Sequence, residues 1–353
     1  MQFKLNLVVA LFLAIVTVAS CTPAQNQEEG NSTHPKPTER NGTVDFVVQG
    51  KTYQTWYLVV GDLKSGKTPL VVLHGGPGFS HHYLLPNKEL YETAGIPLVF
   101  YDQIGNGASS HVPDAPKEFW TPELFMDQLD GLLAHLGIAN KFNILGHSWG
   151  VRSMLLPFSR PFSRPQGMLA GNYAAARVPK GLKKLIISNA PASIALFKQG
   201  VDALLDNTFP PGFRQMMEQH ERDGTTDSQE YQDGANLFLQ RHVCTVVPFP
   251  ELLNISLGMV DIDPTVYSTM WGPSEFGVTG TLSNWTVVDI IHRINVPTLL
   301  ISAPMDEIQP VAAAPWFDNI PKVKWVELQN STHLAEFEEP KNWFRVLLQF
   351  LQL

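Results

Sequence analysis

At 353 residues the chain is long enough for one large domain with a sizeable core, or for a core domain carrying an insert. Hydrophobic residues make up 44% and charged residues 16%, which is a globular rather than a disordered composition. A formal net charge of −8, with no basic stripe to neutralise phosphates, argues against a nucleic-acid partner. Two cysteines, Cys21 and Cys244, are too few for a disulfide framework, a thiol mechanism or a Cys-rich metal site.

In chain order, Lys4, the apolar run Leu5 to Val18 and the small pair Ala19-Ser20 read as a secretory signal peptide over residues 1–20. The run is short for a membrane span, so a secreted protein without stable membrane association after signal removal is expected. Val18-Ala19-Ser20-Cys21 loosely resembles a bacterial lipoprotein box, which makes a lipid anchor at Cys21 the alternative. Residues 21–43 are polar and rich in Pro, Asn, Glu and Thr, as a disordered linker is. Asn-x-Ser/Thr triplets at Asn31, Asn41, Asn254, Asn284 and Asn330 suit a secreted glycoprotein.

From Val44 strands alternate with helices. Val44–Val48 and Thr52–Val60 suggest a strand pair; Pro69–Leu73, Pro97–Tyr101, Phe142–Leu145, Leu182–Ser188, Val296–Ser302 and Val323–Leu328 read as strands of a buried parallel sheet. Thr121–Leu136 opens with a good helix start, and Trp343–Leu351 reads as a closing helix. The pattern predicts an α/β chain with a mostly parallel, doubly wound sheet. Residues 192–285 break the rhythm with helical patterns at Ile194–Leu205, Phe213–Arg222 and Ser228–Arg241, so a helical cap is expected between a first core segment, 44–191, and a second, 286–353.

The chemistry begins at Gly146-His147-Ser148-Trp149-Gly150, a G-x-S-x-G directly after a strand. This is the nucleophile elbow of the α/β-hydrolase fold, with glycines where a Cβ would clash and Ser148 lifted out of the sheet. His74-Gly75-Gly76-Pro77-Gly78 follows an earlier strand and offers backbone N–H groups; the Gly76 and Trp149 N–H groups are the expected oxyanion hole. A serine nucleophile needs a base, and the base an orienting carboxylate, in the order Ser, acid, His. Asp306 and His333 each follow a strand. Asp289 and Asp318 compete for the acid and His292 for the base, but Asp289 and His292 precede their strand. No metal and no organic cofactor is needed. Asp at position 148 would have suggested an epoxide hydrolase or dehalogenase instead.

Taken together, His74–Gly78, Tyr101–Ser109, the Gly-x-Ser-Trp-Gly elbow, Gly272–Phe276 with Thr279-Gly280-Thr281, Asp306-Glu307 and Ser331-Thr332-His333 resemble the proline iminopeptidase family of serine peptidases, including the archaeal tricorn-interacting aminopeptidase. The resemblance runs from about Val44 to Leu351. It implies release of N-terminal residues, often proline, from short peptides or amino-acid amides, and a pair of glutamates anchoring the substrate amine, here Glu275 and Glu307. A dry pocket holding an ammonium needs such partners. Phe79, Tyr83, Trp149 and Trp271 are candidates for an apolar pocket. The same machinery could serve an amino-acid amidase or an ester hydrolase, and a catalytically inactive binding protein is the alternative of another class.

Two features depart from the family. The loop before Asp306 reads Ser302-Ala303-Pro304-Met305, where relatives usually carry a glycine and an aromatic or charged residue. Between Gly150 and the family-like Gly167–Ala175 stand sixteen extra residues, Val151–Gln166, with Pro157, Pro161 and Pro165, which cannot continue a helix begun at Ser148. Val can begin with GT and Gln can be CAG, so a retained intron in the gene model is the expectation and a surface loop the alternative. A genuine insert predicts weak or no hydrolase activity.

Overall fold

The computed structural model describes residues 38–148, 169–272 and 276–352. Eight strands form one sheet: β1 (Glu39–Val48), β2 (Lys51–Val60), β3 (Leu70–Leu73), β4 (Leu98–Tyr101), β5 (Phe142–His147), β6 (Leu182–Ser188), β7 (Thr298–Ser302) and β8 (Val323–Glu327). Their spatial order is β1-β2-β4-β3-β5-β6-β7-β8. β1 and β2 pair antiparallel, as do β2 and β4; every other pairing is parallel. The inner strands β3, β4 and β5 are buried on both faces, which is why they read as apolar runs.

β1 begins at Glu39, inside the stretch expected to be linker. Glu39–Thr43 are polar, but their backbone continues the ladder, from Glu39 opposite Val60 to Thr43 opposite Trp56. Gln49 and Gly50, both at positive φ (52° and 74°), make the two-residue turn between β1 and β2 that the sheet twist favours. Residues 1–37, with the expected signal peptide, the sequon at Asn31 and Cys21, lie outside the described residues, as do Val151–Gln166.

The helices are α1 (Glu89–Ala94), α2 (Pro122–His135), α3 (Leu169–Arg177), α4 (Ile194–Thr208), α5 (Phe213–Asp223), α6 (Gln229–His242), α7 (Glu251–Ile262), α8 (Thr265–Met270), α9 (Pro310–Asn319), α10 (Ala335–Glu338) and α11 (Pro340–Gln352). α2 starts where its signal predicts: the Thr121 hydroxyl accepts the Leu124 N–H and Pro122 fills the first turn. α4 to α8 follow one another between β6 and β7 and include two helices, α7 and α8, beyond the three patterns in the sequence. They reach the turns at the carboxyl edge of the sheet. Ser256 of α7 accepts the Tyr83 N–H, a Cβ on Gly78 would stand 3.0 Å from that of Tyr267 on α8, and the His242 carbonyl at the end of α6 accepts the Glu307 N–H.

The register fixes where chemistry can occur. Leu73 lies beside Gly146, His147 beside Ser188, and Ser302 beside Glu327. The turns after β3, β5, β6, β7 and β8 therefore emerge along one edge. Among the described residues no helix is long and apolar enough to cross a membrane.

Candidate active site

Ser148 follows β5 with φ of +54°, a left-handed conformation that a non-glycine residue adopts only when its surroundings enforce it, at a cost of about 1–3 kcal/mol. Its N–H donates to the Ser188 carbonyl at 3.0 Å, so the neighbouring strand holds the turn. Glycines make the space. A Cβ on Gly146 would collide with Ala170 of α3, and one on Gly75 would lie 3.0 Å from the Ser148 Cβ and 3.2 Å from the His147 carbonyl. α3 thus packs directly on the strand that ends at the nucleophile.

Asp306 and His333, the expected acid and base, meet from separate loops. His333 Nδ1 donates to Asp306 Oδ1 at 2.7 Å, and both side chains are buried. Asp306 Oδ1 also accepts the Ile308 N–H at 3.0 Å, and its Oδ2 accepts from Asn189 Nδ2 at 2.6 Å. With Nδ1 committed as donor, Nε2 is the nitrogen left to accept a proton. The rivals stand elsewhere. Asp289 and His292 are exposed on the 3-10 helix Val288–Arg293, before β7, and Asp318 is exposed near the end of α9.

A second carboxylate stands beside His333. Glu307 is buried, and its Oε1 lies 3.7 Å from His333 Nε2. The loop that carries it is tied to the end of α6, where His242 Nδ1 donates to the Met305 carbonyl at 2.9 Å and the Glu307 N–H donates to the His242 carbonyl at 3.1 Å. The unusual residues before Asp306 are accommodated here: Met305 is exposed and contributes its carbonyl, and Ser302 Oγ accepts from Trp325 Nε1.

Comparison with known proteins places this geometry in a family. The alpha/beta hydrolase family model matches residues 70–346. The proline iminopeptidase of Lactiplantibacillus plantarum is 32% identical over 289 residues, 81% of this chain and 93% of that protein. The chain belongs to the proline iminopeptidase-like α/β hydrolases. The proline iminopeptidase from Mycobacterium smegmatis, a solved structure, is similar to this hydrolase with a TM-score of 0.77 at 35% identity, over 88% of this chain and 98% of that one. The crystal structure of VinJ is similar with a TM-score of 0.80 at 42% identity, over 89% of this chain and 98% of that one.

In this iminopeptidase-like hydrolase the two paired motifs hold each other. His74 Nε2 accepts the Gln103 N–H at 3.0 Å, Gln103 Nε2 donates to the His74 carbonyl at 2.9 Å, and His74 Nδ1 donates to the Gly75 carbonyl. Burial pulls the His74 pKa down to about 4 against the opposing pull of Asp102, so the ring stays neutral and can go on accepting. Asp102 Oδ1 accepts the His81 N–H and His81 Nδ1, and its Oδ2 accepts the Ala108 N–H. Burial alone would raise its pKa, but the His81 hydrogen bond and charge prevail and hold it below the usual range.

Within the turn after β3, the Gly75 N–H is occupied by the Tyr83 hydroxyl at 2.7 Å, while Gly76, at φ of +117°, is the next donor along. Trp149 and Glu275 lie outside the described residues. Of the aromatics expected to form a pocket, Tyr83 is committed to Gly75 and His147, and Trp271 is buried against Phe197 at 5.2 Å between ring centres. The sequence reading missed Asn189 and His242 as site neighbours and gave Tyr83 and His147 no hydrogen-bonding role. Asn189 had one usable signal, its place directly after a strand at the carboxyl edge.

Among the described residues no group of three or more His, Cys, Asp or Glu is arranged to hold a metal ion.

Proposed function

We propose that this protein is a secreted serine aminopeptidase that releases N-terminal residues, proline among them, from short peptides through an acyl-enzyme. The observation that carries the reading is Glu307, a buried carboxylate fixed 3.7 Å from the reactive nitrogen of His333. Ester hydrolysis has no need of a second carboxylate there. A substrate bearing a free ammonium at its first residue does, because that charge loses its water on entering the site.

In this account Ser148 Oγ attacks the carbonyl of the first residue and gives its proton to His333 Nε2. Asp306 holds the imidazole in the required tautomer and stabilises the cation that forms. The Gly76 and Trp149 N–H groups receive the developing oxyanion. As the C–N bond breaks, His333 returns the proton to the leaving amine. Water, deprotonated by the same nitrogen, then releases the free amino acid and restores the serine. Glu307 and Glu275 clamp the substrate ammonium throughout. The exposed sequons Asn41, Asn254, Asn284 and Asn330 suit the secreted, glycosylated form.

Kinetics of Glu307→Gln and Glu275→Gln test the reading, with proline anilide and a short acyl ester as paired substrates. Each variant should lose roughly a hundredfold in kcat/KM on the anilide, as expected when a desolvated charge loses its partner, and much less on the ester. Equal losses on both substrates, or none on the anilide, would refute it.

A further inference from the structure

The catalytic account uses neither Tyr83 nor His147, yet both are buried between its parts, each about as inaccessible as the sheet strands. The Gly75 N–H points at Tyr83 Oη at 2.7 Å. Tyr83 Oη lies 3.0 Å from His147 Nδ1, and His147 Nε2 lies 2.8 Å from the His333 carbonyl oxygen. The rings meet edge to face, Tyr83 to His147 at 5.4 Å between centres and His147 to His333 at 4.8 Å.

The ends of this series fix its direction. A backbone N–H can only donate and a backbone carbonyl can only accept. Tyr83 Oη therefore accepts from Gly75, and His147 must carry a hydrogen on Nε2 and donate it to His333; with the ring neutral, Nδ1 then accepts from Tyr83 Oη. One neutral tautomer satisfies the whole series; the imidazolium breaks it, because Nδ1 could no longer accept. Burial first, and the neighbouring His333 second, pull the His147 pKa well below its usual value, so the neutral form persists.

We propose that Tyr83 and His147 are positioning residues that lock the oxyanion turn to the loop of the catalytic base through this one-way hydrogen-bond series. The three pieces come from distant parts of the chain: Tyr83 and His147 are 64 residues apart, and His147 and His333 are 186 apart. Gly75 precedes the oxyanion donor Gly76, His147 precedes the nucleophile, and His333 is the base. Reactive groups must hold their relative places to within about half an ångström, and this series joins all three through buried groups with no mobile water between them.

The proposal rests on Ser148 and His333 being the reacting pair, so its test begins with a probe that needs no peptide substrate. The rate of fluorophosphonate labelling is measured for the wild type, Tyr83→Phe, His147→Phe, His147→Gln and the Tyr83→Phe/His147→Phe double variant, beside kcat and KM for proline anilide and the melting temperature. Tyr83→Phe keeps the ring but deletes the link. It should label about tenfold more slowly and lose kcat in the same proportion, the effect of one buried hydrogen bond, with KM little changed; the melting temperature falls modestly, because the Gly75 N–H and His147 Nδ1 are left buried without that partner.

His147→Gln, whose amide can both accept and donate, should retain more of the rate than His147→Phe. The double variant should be no slower than His147→Phe alone. Wild-type labelling in Tyr83→Phe, or independent multiplying losses in the double variant, would overturn the series. A wild type that labels but releases no proline would sink the aminopeptidase reading while the labelling rates still decide the series. A wild type that does not label would sink both.

Discussion

On the nucleophile side, the site is shaped by what is missing. Gly146 leaves room where any side chain would strike Ala170, Gly75 leaves room where one would crowd Ser148, and Ser148 sits at positive φ in the turn between them. On the acid–base side, Asp306 is fixed by what surrounds it: His333, Asn189 and the Ile308 N–H all bond to one buried carboxylate. Crowded backbone tolerates no added volume, whereas a hydrogen-bonded carboxylate tolerates a shape-preserving change and fails chemically. The two sides should therefore break in different ways.

The largest contrast is in activity. Asp306→Asn keeps the shape but permits the wrong imidazole tautomer, and kcat should fall by about 10⁴-fold while the melting temperature hardly moves. A matched fall in both would show that Asp306 is mainly a structural residue. Gly146→Val is the reverse case: added volume against α3 should cost about 3 kcal/mol of stability or more, read by denaturant unfolding. A normally stable variant would mean that the elbow is not sterically set.

Glu336 sharpens the contrast through pH. It is buried on α10, three residues after His333, and burial pushes its carboxyl pKa up to about 8, with the Glu338 charge adding to the rise and its own backbone N–H opposing it. The folded state then holds a proton that the unfolded chain, with an ordinary carboxyl near 4.5, has given up. Stability is therefore greatest below the unfolded value and falls as pH rises from there through about 8. Glu336→Gln does not titrate, so its stability relative to wild type should improve by about 3.5 kcal/mol between pH 5 and pH 8. A pH-independent difference between the two would contradict the buried, protonated carboxyl. The smallest effect is expected at Asn189→Ala, which removes one of several partners of Asp306 and should lower kcat by about tenfold; no change would leave the position of Asp306 to His333 and Ile308 alone.

The same contrast governs what could be read before the fold was known. Steric devices leave marks in sequence, because a Cβ at Gly146 would collide with Ala170 and one at Gly75 would be tight against Ser148 and His147, and buried strands such as Leu70–Leu73 must be apolar throughout. Order along the chain places Asp306 and His333 after strands at the right edge. Polar partners leave no such mark. Asn189 is an ordinary residue, and Tyr83 and His147 show no partner in the sequence, until the register brings the ends of β3, β5, β6 and β8 together. Glu39–Thr43 read as linker for a related reason: an edge strand is held by backbone pairing and can be polar. The extra helices α7 and α8 were missed because α8 has only six residues and the buried face of α7 carries a polar residue, Ser256, among Leu253, Leu257 and Val260.

The central claim is that a carboxylate beside the base makes this hydrolase read the free end of a chain. The most direct test compares proline anilide with N-acetyl-proline anilide as substrates of the wild-type protein. The account predicts turnover of the free amine and roughly a hundredfold or greater loss on acetylation. Equal hydrolysis of the two would contradict it.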